Sequence, residues 1–207
     1  WSSDVCSSDL LWAPKFKNQI MLVDSARDAL AMALITQNKS VNDKSTADLA
    51  AAQAKLTTLM PNIKAIIADE IKMYMAQNEA AIAVTYSGEA SQAMGNNSHL
   101  HYVVPSEGSN LWFDNIVMPK TAKHKAAAYA FLNFMSEPKN AAQNATYVGY
   151  ATPNKRAMPF LSEAVRHDKQ FYPDKKTLDN LQVYDDLGQR WTEKYNDAFL
   201  EFKMSQR

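Results

Sequence analysis

The sequence has little of what most catalytic and nucleic-acid chemistries require. It holds one cysteine, Cys6, so no internal disulfide can form and no thiol cluster can bind a metal. Only five glycines occur in 207 residues. None of them builds the glycine-rich turn that cradles phosphates or the Gly-x-Ser-x-Gly elbow of a nucleophilic serine. An excess of one charge is missing too, since 22 basic residues face 22 acidic ones. Phosphate neutralisation needs a concentrated basic field, so no nucleic acid is expected as a partner. Long apolar runs are absent: the richest stretch, residues 126–135, contains Asn133 and falls short of the roughly 18–20 residues that span a bilayer. What remains is a chain with 46% hydrophobic residues, enough for a real core.

The first ten residues, Trp1-Ser2-Ser3-Asp4-Val5-Cys6-Ser7-Ser8-Asp9-Leu10, read as a translated sequencing adapter joined in frame to a shortened gene. They are set apart from the fold as a non-native segment. Cys6, Asp4 and Asp9 go with them. The natural start, with any signal peptide or lipid-anchor cysteine, is then expected upstream of this chain, so the sequence assigns no compartment by itself.

The body alternates strand and helix signals. Ile20 to Val23 is a short apolar run with strand character, followed by the capping oxygens of Asp24 and Ser25 and by strong helix formers from Ala26 to Gln37. Ser45-Thr46 opens a second helix that Pro61 ends. Further on, helices are expected at Glu70–Gln77, Ser87–Met94, Lys123–Ser136, Pro138–Tyr147 and Gly188–Met204. Strands are expected at Ala80–Tyr86, Leu100–Val104 and Leu111–Met118. This alternation indicates an α/β protein with an at least partly parallel sheet.

Four segments could carry chemistry. In a strand over Leu111–Met118, Trp112 and Asp114 share a face. An acid beside an indole suits an organic cation, the carboxylate pairing with an ammonium and the ring adding cation–π attraction of roughly 0.5–2 kcal/mol. A core tryptophan beside a turn-capping aspartate fits the same residues. Ser25 and Asp28 have capping-box spacing, with Asp replacing the usual Glu, yet they stand where a strand ends and ligands of open α/β sheets bind. Tyr86 and Glu89 flank Gly88 at another strand end, and Tyr150 lies in a turn between Gly149 and Pro153. Competing chemistries have less support. His99 and His101 share a strand face without a third ligand in view, so no metal and no cofactor are expected. A hydrolase using Asp28 and Asp114 as paired acids remains open on spacing alone.

The order of these pieces carries more than any one of them. Leu11-Trp12-Ala13-Pro14, Asp24-Ser25-Ala26-Arg27-Asp28, Leu59-Met60-Pro61-Asn62 and Tyr86-Ser87-Gly88 come first. Pro105-Ser106-Glu107-Gly108, Trp112-Phe113-Asp114 and Ile116-Val117-Met118-Pro119 follow, then Phe131-Leu132-Asn133-Phe134 and Gly149-Tyr150-Ala151-Thr152-Pro153-Asn154. From Leu11 to Arg207 the series resembles the spermidine/putrescine-binding proteins of bacterial polyamine importers.

The resemblance implies a type II periplasmic-binding-protein fold, α/β, with two lobes and a ligand cleft, the first lobe largely missing. Residues 11–112 would belong to the second lobe, 113–150 to part of the first, and 151–207 to the return to the second with its C-terminal helices. It also implies no enzyme but an extracytoplasmic receptor, expected as a monomer, that delivers a linear polyamine to the membrane permease of an ABC importer. A same-fold receptor for another cation or small ligand is the alternative. Carried over by motif, Asp114 would anchor an ammonium, with Trp112 and Tyr86 as walls. Asp28 would hold another amine, and Tyr150 would add a hydroxyl or ring face. Tyr184 stands where the family commonly has an amide, and Ser25 where many members have a second acid, which leaves the choice between spermidine and putrescine open.

Overall fold

A computed structural model of the chain describes residues 9–205. Apart from Asp9 and Leu10, the segment read as an adapter, Cys6 included, lies outside them. The chain forms two compact units: one runs to Trp112 and resumes at Lys175, and the other comprises Phe113–Asp174.

The first unit is built on strand β1 (Ile20–Val23), which lies between β2 (Ile63–Ile67) and β3 (Ile82–Val84), with both pairings parallel. Every residue of β1 is buried, as a central parallel strand covered on both faces requires. Alternation then sends its side chains to two cores. Ile20 and Leu22 join helices α1 (Ala26–Thr36), α2 (Thr46–Thr57) and α9 (Gln189–Met204), the last through Tyr195, Ala198, Phe199 and Phe202. Met21 and Val23 meet Ile71 and Met75 of α3 (Ile71–Ala76) and Ala93 of α4 (Ser87–Asn96). Tyr195 is fully buried, and its hydroxyl donates to the carbonyl of Asp43 at 2.9 Å, which satisfies the one polar atom that α9 brings into the core.

A second, two-stranded parallel sheet pairs β4 (Ser109–Leu111) with β5 (Leu181–Val183). Its entry depends on Gly108, whose φ of +117° is foreign to side-chain-bearing residues, and a Cβ there would lie 2.5 Å from the carbonyl oxygen of Asn180. Short helix α8 (Lys175–Leu178) precedes β5.

The other unit holds α5 (Lys125–Ser136), α6 (Pro138–Val148), a 3-10 turn at Lys155–Phe160 and short α7 (Glu163–Arg166). Pro138 occupies the first turn of α6, where its missing N–H costs nothing, and Gly149 closes the helix in the left-handed region at φ 76°. Ala142, Ala145, Ala157 and Leu161 form a small core that joins α6 to the 3-10 turn.

Two expected strands are corrected. Leu100–Val104 adopts no regular structure, because no strand among the described residues pairs with it and Val103 is exposed. The strand expected over Leu111–Met118 stops at Leu111, since its partner β5 ends opposite at Val183. Phe113, Ile116 and Val117 beyond it are exposed. The expectation that Trp112 and Asp114 share a face rested on a continuous strand, and β4 ends before both residues.

Replacing Gly108 by alanine should destabilise the first unit. Backbone strain of about 1–3 kcal/mol, with the contact to Asn180 added to it, should lower the thermal midpoint by several degrees. Circular dichroism melting measures this, and an unchanged midpoint would show that the β4–β5 junction tolerates a side chain.

Candidate functional site

Asp28 sits in the first turn of α1, just past the carboxyl end of β1. Ser25 caps the helix: its Oγ accepts from the Asp28 amide at 3.4 Å and donates to Asp28 Oδ2 at 2.5 Å. This is not the reciprocal capping box the spacing suggested. The Ser25 amide donates to the carbonyl of Val23, so the carboxylate of Asp28 is not drawn back to the cap and turns to other elements.

Three of those elements supply donors. Tyr86, the residue before α4, donates its hydroxyl to Asp28 Oδ2 at 2.8 Å. Tyr184, one residue past β5, donates to Oδ1 at 2.8 Å, and Asn110 of β4 donates Nδ2 to Oδ1 at 3.1 Å. An ionised carboxylate has about four acceptor positions, and protein donors from four separated segments occupy all of them here. Hydrogen bonds to a charged acceptor contribute roughly 1.5–3 kcal/mol each, so this cluster holds its elements together as well as grouping polar atoms.

Aromatic rings complete the arrangement. Trp112 meets Tyr86 edge to face, with centroids 5.7 Å apart and planes at 70°. The guanidinium of Arg27 lies 4.4 Å from the Tyr184 ring centroid. Burial pushes the Tyr184 phenol far above its ordinary pKa of 10.0, and the neighbouring charge and hydrogen bond of Asp28 push the same way. Tyr184 is therefore a firm donor at any physiological pH.

Of the residues singled out in the sequence, Ser25, Asp28, Tyr86, Trp112 and Tyr184 are thus brought together in one unit by contacts of 2.5–5.7 Å. Asp114 and Tyr150 belong to the other unit, where Asp114 is exposed and Tyr150 is half-buried just after the Gly149 cap. Asp28, rather than Asp114, is the centre of the hydrogen-bonded cluster. Glu89 stands apart from it in an ion pair with Lys72 at 2.9 Å. Asn110 and Arg27 were not assigned roles from the sequence. The signal for Asn110 was its place two residues before Trp112; Arg27 lay inside the Ser25–Asp28 motif. Among the described residues no group of three or more His, Cys, Asp or Glu side chains could hold a metal, and no helix is long and apolar enough to cross a membrane.

The sequence matches the family model of bacterial extracellular solute-binding proteins over residues 4–173. It is similar to the spermidine/putrescine-binding periplasmic protein of Salmonella typhimurium, with 34% identity over 178 residues that cover 86% of this chain and 51% of that protein. The crystal structure of the spermidine/putrescine ABC transporter substrate-binding protein of Streptococcus pneumoniae superposes with a TM-score of 0.87 at 51% identity, covering 100% of this chain and 64% of the other. A Listeria monocytogenes ABC transporter protein gives a TM-score of 0.90 at 52% identity over 95% of this chain and 61% of its own. The chain spans about half the length of the curated relatives it matches. The expected α/β fold of the periplasmic-binding-protein kind is borne out by these structures and by the parallel sheet.

The raised pKa of Tyr184 sets an alkaline limit on stability. The folded chain keeps a proton that the unfolded chain releases above about pH 10. Stability contributed by this phenol is therefore whole below pH 10 and falls as pH rises further. Urea midpoints measured between pH 8 and 11 should fall less steeply in Tyr184→Phe than in the parent, and identical slopes would place the phenol outside the cluster.

Proposed function

The chain belongs to the family of bacterial extracellular solute-binding proteins, and on that premise we propose that it is part of the ligand receptor of a polyamine importer. It binds a linear polyamine, spermidine or putrescine, outside the cytoplasm and without chemical change. It then delivers the ligand, as a monomer, to the permease of an ABC transporter. The relatives named for spermidine and putrescine support this ligand class.

The observation that carries the proposal is the combination at Asp28 of one carboxylate, two phenols and an adjacent indole. A linear polyamine alternates ammonium groups with methylene runs. Carboxylate charge and phenol oxygens suit the ammonium, and aromatic faces suit the methylenes while adding attraction for the charge. An acid cluster that fixes a metal or activates water would instead need further ionisable ligands beside Asp28. The donors found there are hydroxyls and an amide.

In this proposal Asp28, Tyr86, Trp112, Tyr184 and Ser25 are the ligand contacts and their supports in the first unit. Asp114 and Tyr150 are proposed contacts in the second unit, by their places in the motif series. The first unit is assigned to the second lobe of the receptor and residues 113–174 to part of the first. The motif series puts the return to the second lobe after Tyr150, and the division of the compact units at Lys175 supports a return there instead.

Titration of the full-length receptor with spermidine and putrescine should give a saturable change in tryptophan fluorescence, through Trp112 against Tyr86. Asp28→Asn and Asp114→Asn should each weaken binding at least tenfold, about 1.4 kcal/mol or more. No saturable response to either amine up to millimolar concentration would overturn the proposed ligand. Unchanged affinity in a variant would remove that residue from the site.

A further inference from the structure

We propose that Asn42 is a positioning residue that seats Tyr184 on Asp28. Its side-chain amide spans the backbone on both sides of that tyrosine: Nδ2 donates to the carbonyl of Val183 at 2.8 Å, and Oδ1 accepts the amide of Asp185 at 2.9 Å. A neighbouring strand's peptide group would offer this same donor and acceptor pair. β5 has β4 on one side only, and its hydrogen-bonded register ends at Val183. Beyond that point Asn42 supplies the backbone partner that the sheet does not, at the residue whose phenol reaches Asp28.

The loop that carries Asn42 is itself tied down. Gln182 Oε1 accepts from the Val41 amide at 3.1 Å and from Ser40 Oγ at 3.2 Å. Arg27 closes the arrangement from α1, with Nη2 donating to Asn42 Oδ1 at 2.9 Å and to the Val41 carbonyl at 3.3 Å. Its Nη1 donates to the carbonyl of Asp185 at 3.4 Å, and its guanidinium lies over the Tyr184 ring. The residue next to Asp28 in sequence thus reaches Tyr184 by way of Asn42, so the carboxylate and the phenol are held from one helix turn. Val41 is fully buried and anchors the loop to the body of the unit.

Asn42 bonds backbone alone on the Tyr184 side and Arg27 on the other, so its effect on ligand is expected to pass through the seating of Tyr184. This consequence rests on the proposed polyamine site, while the seating itself can be measured without ligand. The test compares the parent chain, Asn42→Ala, Tyr184→Phe and the double variant. In hydrogen exchange without ligand, Asn42→Ala should speed exchange of the Asp185 amide about tenfold and leave the amides of α3 and α4 unchanged. Asn42→Asp keeps the acceptor and should retain much of that protection. In spermidine titrations Asn42→Ala and Tyr184→Phe should each weaken binding about three- to tenfold. The double variant should be no weaker than the worse single one, because both changes act on one contact. Unchanged exchange at Asp185, or losses that multiply in the double variant, would overturn the proposal. Fast exchange at Asp185 in Asn42→Ala, with Tyr184→Phe binding as the parent does, would support the seating and remove Tyr184 from the ligand site.

Discussion

The carboxylate of Asp28 is the junction on which the site-bearing end of the first unit depends. Its four donors come from the start of α1, the residue before α4, strand β4 and the residue after β5. Those segments are 82 residues apart between Asp28 and Asn110 and 156 apart between Asp28 and Tyr184. The parallel pairing of β1 with β3 brings the start of α1 and Tyr86 to one edge, and the parallel β4–β5 pair supplies Asn110 and Tyr184. One acid placed there can collect what several loops present. Removing it would leave phenols and an amide without their acceptor, a cost of about 1–3 kcal/mol for each group that stays out of water.

The core beneath makes that edge firm. β1 is buried on both faces, and α9 returns from the far end of the chain to cover the face formed by Ile20 and Leu22. The unit is therefore discontinuous in sequence, and the return also brings β5 and Tyr184 to Asp28. Lys203 of α9 bonds Asp24, immediately before the α1 cap, at 2.9 Å. That pair is well exposed and contributes little by itself. The apolar stripe of Tyr195, Ala198, Phe199 and Phe202 provides the attachment.

Much of this could be read in the sequence where the signal is local. Strand β1, the Ser25 cap, the α1 and α2 helices and the amphipathic α9 follow from periodicity and capping chemistry, and the structure places each within a few residues of expectation. Asp28 and Tyr86 were visible as residues at strand ends. Strand β2 is hard to read although Ile63, Ile66 and Ile67 are β-branched, because Lys64 interrupts the run and its pairing with β1 makes it a strand. The opposite holds at Leu111–Met118, where strand-forming residues have no strand partner past Leu111. Asn110 and Arg27 are marked in the sequence only by their places beside Trp112 and Asp28, and Asn42 not at all: their roles are hydrogen bonds to segments distant in the chain, and such bonds leave no periodic trace. Tyr184 entered only through the resemblance to a family.

The filled acceptor positions of Asp28 constrain how an amine could be received there. A carboxylate with four protein donors has no idle lone pair for an ammonium, so direct pairing requires a donor to leave. Tyr86 and Tyr184 offer a second course. A phenol that donates its O–H to a carboxylate keeps acceptor capacity on the same oxygen, and the charge behind it makes that oxygen a better acceptor. Two such oxygens flank one aspartate, and the Tyr86 ring meets Trp112 edge to face. Arg27 adds a cation behind Tyr184 and offsets part of the negative field of Asp28. The cluster is thereby weaker in net charge than a bare pair of acids would be. In the proposed receptor, discrimination among amines would depend on where the two phenol oxygens stand, and Tyr184 is held there by the backbone contacts of Asn42 and Arg27.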